Sequence, residues 1–338
     1  MVKRSALIII LSFLTLSLFA ADKVSFSGGG TFGGSYDYNW KDEKGTQVYL
    51  ANPYLGVSYS SSALKAEFKA SYKVDNYYPN SFSLDKAYFR FRVPSFNSKK
   101  ITFTVGKAPI SWGMGYYYRV GDVLLDDENT YQVAGSAVDR TIYLASATIP
   151  LGLGFSLEGA FGFPFENNNT KKVGALLTKN FDNDYLKQLK VAYAFKSGKK
   201  HKASIVADFA LGADISLGLE SQFRSVKDYR VVFNLMKQFS IESELSSHLL
   251  TLYVSAETSF EDKSYNALAS LSYDLTERWT LSASSNVSFD NSGYKESTFP
   301  FSFSFLIQDG VKAEGGLALT HKDDAINTSV SLALDIGF

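Results

Sequence analysis

Ile326-Asn327-Thr328-Ser329-Val330-Ser331-Leu332-Ala333-Leu334-Asp335-Ile336-Gly337-Phe338 closes the chain. Successive side chains of a strand point to opposite faces. One face of this segment therefore carries Ile326, Thr328, Val330, Leu332, Leu334, Ile336 and Phe338. The other carries Asn327, Ser329, Ser331, Ala333, Asp335 and Gly337. The pattern recurs upstream. Leu64, Ala66, Phe68, Ala70, Tyr72 and Val74 alternate with Lys65, Glu67, Lys69, Ser71 and Lys73. Wound as a helix, that stretch would scatter its lysines all round. Trp279 to Asp290 repeats the alternation. So does Phe299, Phe301, Phe303 and Phe305 against Pro300, Ser302 and Ser304.

About eighteen such segments follow one another between residues 24 and 338, including 137–150, 152–165 and 298–308. Most reach the roughly 9–11 residues that a tilted membrane strand needs. An even number is expected of a single-chain bacterial barrel. Eighteen is the best count; one miscounted hairpin between 212 and 262 would make it sixteen. No helical period, linker or domain break interrupts the series. A soluble β-helix would show a shorter fixed repeat, and a β-sandwich rarely needs so many long strands. In hydrocarbon every backbone N–H and C=O must be paired, and only a closed sheet leaves no edge. The sequence thus predicts an all-β fold: a closed antiparallel transmembrane β-barrel of 16–18 strands.

The first residues read differently. Lys3 and Arg4 precede an apolar run from Ala6 to Phe19, and Ala20 and Ala21 offer small residues for cleavage. Residues 1–21 are expected to be a secretory signal peptide and 22–338 a single barrel domain. The chain has no cysteine, which excludes disulfides, thiolate metal sites, cysteine nucleophiles and a lipid-anchored lipoprotein. His201, His248 and His321 lie far apart, with no metal-ligand spacing. Without Lys3 and Arg4 the chain carries 32 basic and 34 acidic residues, a balance that gives no argument for nucleic acid. No later stretch reaches about eighteen apolar residues, the length of a membrane helix.

If residue 24 starts in the periplasm, the strands alternate up and down. Tyr59, Phe181, Trp279 and Phe338 then fall at periplasmic ends, and Tyr36, Tyr38, Phe165, Tyr265, Phe289 and Phe299 at outer ends. These would be two aromatic girdles. The one long connection, about 111–136, lands outside. Ser61–Ser62, Leu151–Gly152 and Asp309–Gly310 make short periplasmic turns.

A signal peptide, alternating strands and a terminal strand ending on phenylalanine resemble Gram-negative-type outer-membrane porins. In that class the last strand is the signal read by the barrel assembly machinery, and Leu334, Ile336 and Phe338 match it, preceded by Leu332. Gly106-Lys107, Ile110-Ser111-Trp112-Gly113-Met114-Gly115 and Asp122 resemble a strand-to-loop segment of several porin-like families. The resemblance implies the bacterial outer membrane, with lipid and the assembly machinery as partners. Porins of this size often form homotrimers. It also implies that the loop after the fifth strand folds inward and narrows a pore.

That loop carries Asp122, Asp126, Asp127 and Glu128, with Tyr116, Tyr117, Tyr118 and Arg119. Lumen-facing positions on neighbouring strands include Lys65, Lys69, Lys73, Lys86, Arg90 and Arg92. An acidic loop facing a basic wall would set up a transverse field that selects by charge. The alternative is a solvated, Tyr-rich cap above cations that merely pair with Glu67. The glycines at 28, 29, 30, 33 and 34 sit in an alternating strand with no helix after them, which argues against a phosphate loop. Asp214, Glu220 and Glu257 are inward carboxylates, but barrel lumens hold many unrelated ones, and no His sits near a nucleophile or acid as a barrel hydrolase needs. The expected function is therefore an outer-membrane porin, not an enzyme, with no cofactor and no metal. It would pass small polar or charged solutes passively. The alternatives are an outer-membrane transporter for hydrophobic or specific substrates, for whose plug domain the sequence before residue 24 leaves no room, and a structural or adhesive barrel.

Overall fold

The computed structural model describes residues 24–76, 79–94, 100–110, 112–113, 118, 120–124, 141–163, 171–198, 201–212, 214–225, 227–242 and 247–337. The expected signal peptide 1–21, Phe165, Phe338 and most of the long loop, including Tyr117, Arg119, Asp126, Asp127 and Glu128, lie outside them.

Eighteen strands follow one another: β1 (Val24–Asn39), β2 (Lys44–Ser60), β3 (Leu64–Asp75), β4 (Ser81–Pro94), β5 (Lys100–Pro109), β6 (Thr141–Gly152), β7 (Phe155–Gly162), β8 (Lys172–Asn180) and β9 (Leu186–Lys196). They continue through β10 (Lys202–Gly212), β11 (Ile215–Phe223), β12 (Tyr229–Glu242), β13 (Ser247–Ser259), β14 (Ser264–Asp274), β15 (Trp279–Asp290), β16 (Gly293–Gln308), β17 (Val311–Lys322) and β18 (Ala325–Gly337). Each pairs antiparallel with its sequence neighbours, and β1 pairs with β18 from Gly29↔Gly337 to Asn39↔Asn327, so the sheet closes. The barrel has the full count of eighteen, and the hairpins between 212 and 262 are all present. The described residues contain no helix.

The alternation becomes two faces. Phe301 pairs with Leu317 and Leu317 with Val330, and all three are exposed on the outside. Phe91, Phe103, Ile149, Leu157, Leu177 and Val191 continue the outer apolar band around β4 to β9. Exposed apolar side chains in such number would mark an aggregating soluble protein; on a barrel they form the surface that meets lipid. The expected aromatic positions mostly hold their face. Trp279 packs on Phe305 with ring centroids 4.4 Å apart. Phe299, however, is not at a strand end, because β16 begins at Gly293.

Turn chemistry explains another shift. The hairpin between β6 and β7 turns at Leu153–Gly154, not Leu151–Gly152. Leu153 has φ 50° and Gly154 φ 80°, the two positive values that a two-residue type I′ turn requires. Asp323 and Asp324, with φ 50° and 57°, do the same between β17 and β18. At the β1–β18 seam a side chain on Gly29 would collide with the Ile336 carbonyl, so that glycine serves close strand approach and not a ligand loop.

The lipid-facing assignment predicts that Val330→Arg, on the outer face midway along β18, destabilises the barrel by about 2–4 kcal/mol at the bilayer midplane. Ser331→Arg, one residue on and facing the lumen, should fold nearly as well as the parent. Denaturant titration in lipid vesicles checks this, and equal midpoints for the two variants would contradict the assignment.

Candidate functional site

The same parity puts Lys65 and Lys69 of β3 and Lys86, Arg90 and Arg92 of β4 on the lumen face, paired across the ladder as Lys65↔Arg90 and Lys69↔Lys86. Glu67 lies among them. Its carboxylate is 3.5 Å from Lys65 and 3.1 Å from Lys86, and it accepts a hydrogen bond from the Tyr88 hydroxyl at 2.8 Å. Lys69 lies 4.0 Å from the centre of the Tyr54 ring. Arg90 donates through Nε to Thr104 Oγ1 at 3.2 Å and leans on Tyr88. One end of this basic wall is thus partly neutralised by Glu67. The Arg90 and Arg92 end has no carboxylate within ion-pair distance among the described residues.

The described residues of the loop after β5 are buried against the inner wall. Trp112, Val123 and Leu124 pack with Tyr88, Leu144, Ala160, Leu176, Ala192 and Ala194, on β4 and β6–β9. Tyr118 and Val120 pack with Val232, Tyr253 and Leu268, on β12–β14. The Tyr118 hydroxyl donates to Asn286 Oδ1 of β15 at 2.9 Å. The segment therefore crosses the lumen from the root of β5 to the wall around β14 and β15.

Polar groups hold it there. Asp122 is 5% exposed, and its Oδ1 accepts from the backbone amides of Trp112 at 2.5 Å and Gly113 at 2.7 Å. This ties the outgoing and returning arms of the loop together. Glu220 of β11 is 1% exposed and accepts from the Gly121 amide at 2.9 Å. Gln222 donates to the Val120 carbonyl at 2.7 Å, and Ser204 to the Gly121 carbonyl at 3.1 Å. Lys190 of β9 supplies positive charge near Glu220 and Asp122, and more weakly near Asp208 and Glu158. A loop is not a sheet, so its N–H and C=O groups must find partners elsewhere, and here the inner wall provides them. Gly121 fits because a Cβ would lie 2.8 Å from Gly113 Cα and 2.6 Å from Val206 Cγ2.

Of the residues expected at a constriction, Asp122 belongs to this clasp, while Tyr117, Arg119, Asp126, Asp127 and Glu128 lie outside the described residues. Lys65, Lys69, Lys86, Arg90 and Arg92 share one stretch of wall. Of the other inward carboxylates considered, Glu220 holds the loop and Glu257 pairs with Arg230 at 3.6 Å. Asp214 sits in a turn at φ 58°. Among the described residues no three His, Asp or Glu converge as a metal site. Sequence reasoning missed Trp112, Ser204 and Gln222 as parts of the docking surface. A signal was present, since Leu144, Leu176, Val206, Val232 and Leu268 are apolar at positions whose parity points into the lumen.

No protein-family model matches the chain, and no curated protein sequence does. Solved structures do match. Wzi of Escherichia coli, described as an outer-membrane protein involved in group 1 capsule assembly and a carbohydrate-binding β-barrel, aligns with a TM-score of 0.66 at 13% identity, over 98% of this chain and 88% of that one. Acinetobacter baumannii OccAB1 gives 0.59 at 9% identity, over 93% and 96%. The outer-membrane protein OpdK of Pseudomonas aeruginosa gives 0.55 at 10% identity, over 93% and 98%. At these identities the likeness is one of fold: the chain has the architecture of bacterial outer-membrane β-barrels.

The clasp predicts that Asp122→Ala frees the loop. Two buried amides lose a charged acceptor, at about 1–3 kcal/mol each, while the strand ladder stays intact. With Trp40 and Trp279 replaced by Phe, Trp112 is the sole emitter. Its fluorescence should shift to longer wavelength and become open to aqueous quenchers, with the β-sheet circular dichroism unchanged. Unaltered emission would show that the clasp does not hold the loop.

Proposed function

We propose that the protein is an outer-membrane diffusion channel for small polar and charged solutes, narrowed by the loop between β5 and β6. The observation that carries this reading is the one-sided docking of Trp112, Tyr118, Val120, Val123 and Leu124. It covers the inner wall from β6 to β14. The lumen faces of β15–β18 and β1–β4 keep half-exposed polar side chains, among them Ser282, Ser302, Ser329, Thr31, Lys69 and Arg90. Such a lumen excludes by size at the loop and selects by charge along β3 and β4. The mechanism is passive and calls for no cofactor.

A second reading is a barrel that binds carbohydrate without conducting, as the likeness to Wzi suggests. The hydroxyl-rich sector of β15–β18 favours it, since serine and threonine hydroxyls both donate to and accept from sugar hydroxyls.

Planar-bilayer recording separates the two. The purified protein should give discrete conductance steps. Replacing Arg90 and Arg92 together by Ala should move the reversal potential in a salt gradient toward cation selectivity. Unchanged selectivity would remove the two arginines from the conducting wall. A protein that inserts without ever conducting would favour the carbohydrate-binding barrel.

A further inference from the structure

We infer that the chamber between the root of the loop and the wall of β4–β7 binds zwitterionic solutes, amino acids and short peptides, on their way through the lumen; this rests on the channel reading. The chamber has a volume of about 380 Å³, within the range of small-ligand pockets, roughly 300–1,000 Å³.

Register builds it. Arg92 pairs with Thr102, Thr102 with Thr148, and Thr148 with Glu158. One row across four adjacent strands thus runs from a guanidinium through two hydroxyls to a carboxylate. The next row begins Arg90, Thr104, Ser146. Strands lie about 4.8 Å apart, so roughly 14 Å separates the Cα atoms of Arg92 and Glu158. Their side chains lean into the gap without closing it, and neither forms an ion pair among the described residues. The contrast with Glu67 is direct. On adjacent strands Glu67 and Lys86 meet at 3.1 Å and satisfy each other. Here two intervening hydroxyl strands hold the opposite charges apart.

Trp112 roofs the chamber. Its side chain is 2% exposed, and its indole N–H is turned toward the Glu158 carboxyl. Arg92 is exposed and Glu158 half-buried, and Arg90 donates to Thr104 through Nε.

A simple anion would meet the arginines but be repelled by Glu158, and a simple cation the reverse. A molecule carrying a carboxylate and an ammonium satisfies both ends. Its carboxylate can take paired N–H donors from a guanidinium, and its ammonium can donate to Glu158. The hydroxyls of the row fit the polar atoms between. Ile110 and Leu144 give the apolar part of a side chain a place to rest.

The test uses the folded protein in detergent micelles, with Trp40 and Trp279 changed to Phe, so that Trp112 emission reports binding. L-Alanine, propionate and alaninamide are titrated separately; the last two each keep one of alanine's charges. Alanine should bind at least about tenfold tighter than either, the gain of one charge-assisted pair. Glu158→Gln should reduce alanine to the level of propionate, and Arg92→Gln should weaken both. If the parent protein binds the three alike, or binds none, the inference is overturned without recourse to any variant. Bilayer recording is read separately. A protein that conducts but shows no preference for alanine overturns this site alone. One that binds alanine but never conducts supports the site and overturns the channel reading.

Discussion

The constraint on which everything else depends is the absence of water in the hydrocarbon layer. A backbone N–H or C=O left there without a partner costs several kcal/mol. This chain answers by pairing every strand with both neighbours and closing β18 on β1 over eleven residue pairs. Closure then dictates the rest of the pattern. With the sheet wrapped, one face of every strand meets lipid and the other meets the lumen, and the period of two in the sequence becomes an inside and an outside. Apolar residues turn outward and polar residues inward, the reverse of a soluble protein.

That reversal leaves the lumen to be organised by other means. The apolar clusters of this molecule are inside, between the loop and the wall, and they exist because the loop enters. Leu144, Leu176, Val232 and Leu268 would face water in an empty barrel; Trp112, Leu124, Tyr118 and Val120 cover them. The two clusters lie at separate places along the loop, with Asp122 and Glu220 between them. Burying two carboxylates is unfavourable unless each is hydrogen-bonded and compensated. Three backbone amides and the nearby Lys190 do this. The acidic residue that sequence spacing suggests for a charged constriction thus acts first as the fastener that shapes the loop.

The fold was legible because a membrane barrel repeats one physical rule eighteen times, and errors at strand ends do not disturb parity. Where the reading slipped, local backbone chemistry was the reason. Leu153 is a poor candidate for φ > 0, so nothing in its side chain announced the turn that it makes with Gly154. β16 starts early at Gly293 because Tyr294 to Thr298 continue the ladder past a register shift near Ser288. Alternation counted from Phe299 missed it. The lumen face of β3 and β4 was readable from Lys65 and Arg90 because charge cannot face lipid. The landing site of the loop was not read, because apolar residues at inward positions look like noise in an alternating strand unless one asks what covers them. Glu158 was invisible for another reason. Its significance lies in the residues three strands away with which it shares a row, and that row follows from register, which alternation alone does not specify.

Register also decides which charges are structural and which are left for a solute. Opposite charges on neighbouring strands are brought within reach of each other by the ladder itself, as Glu67 and Lys86 are, and their fields largely cancel within the wall. Opposite charges separated by two strands are not brought together by the ladder, and Arg92 and Glu158 form no ion pair among the described residues. The field between them therefore extends into the lumen, beside Trp112 and the apolar root of the loop. A rigid wall can in this way keep a polar gap open that a softer fold would collapse into a salt bridge. The constraint that closes the barrel against lipid also holds Arg92 and Glu158 apart.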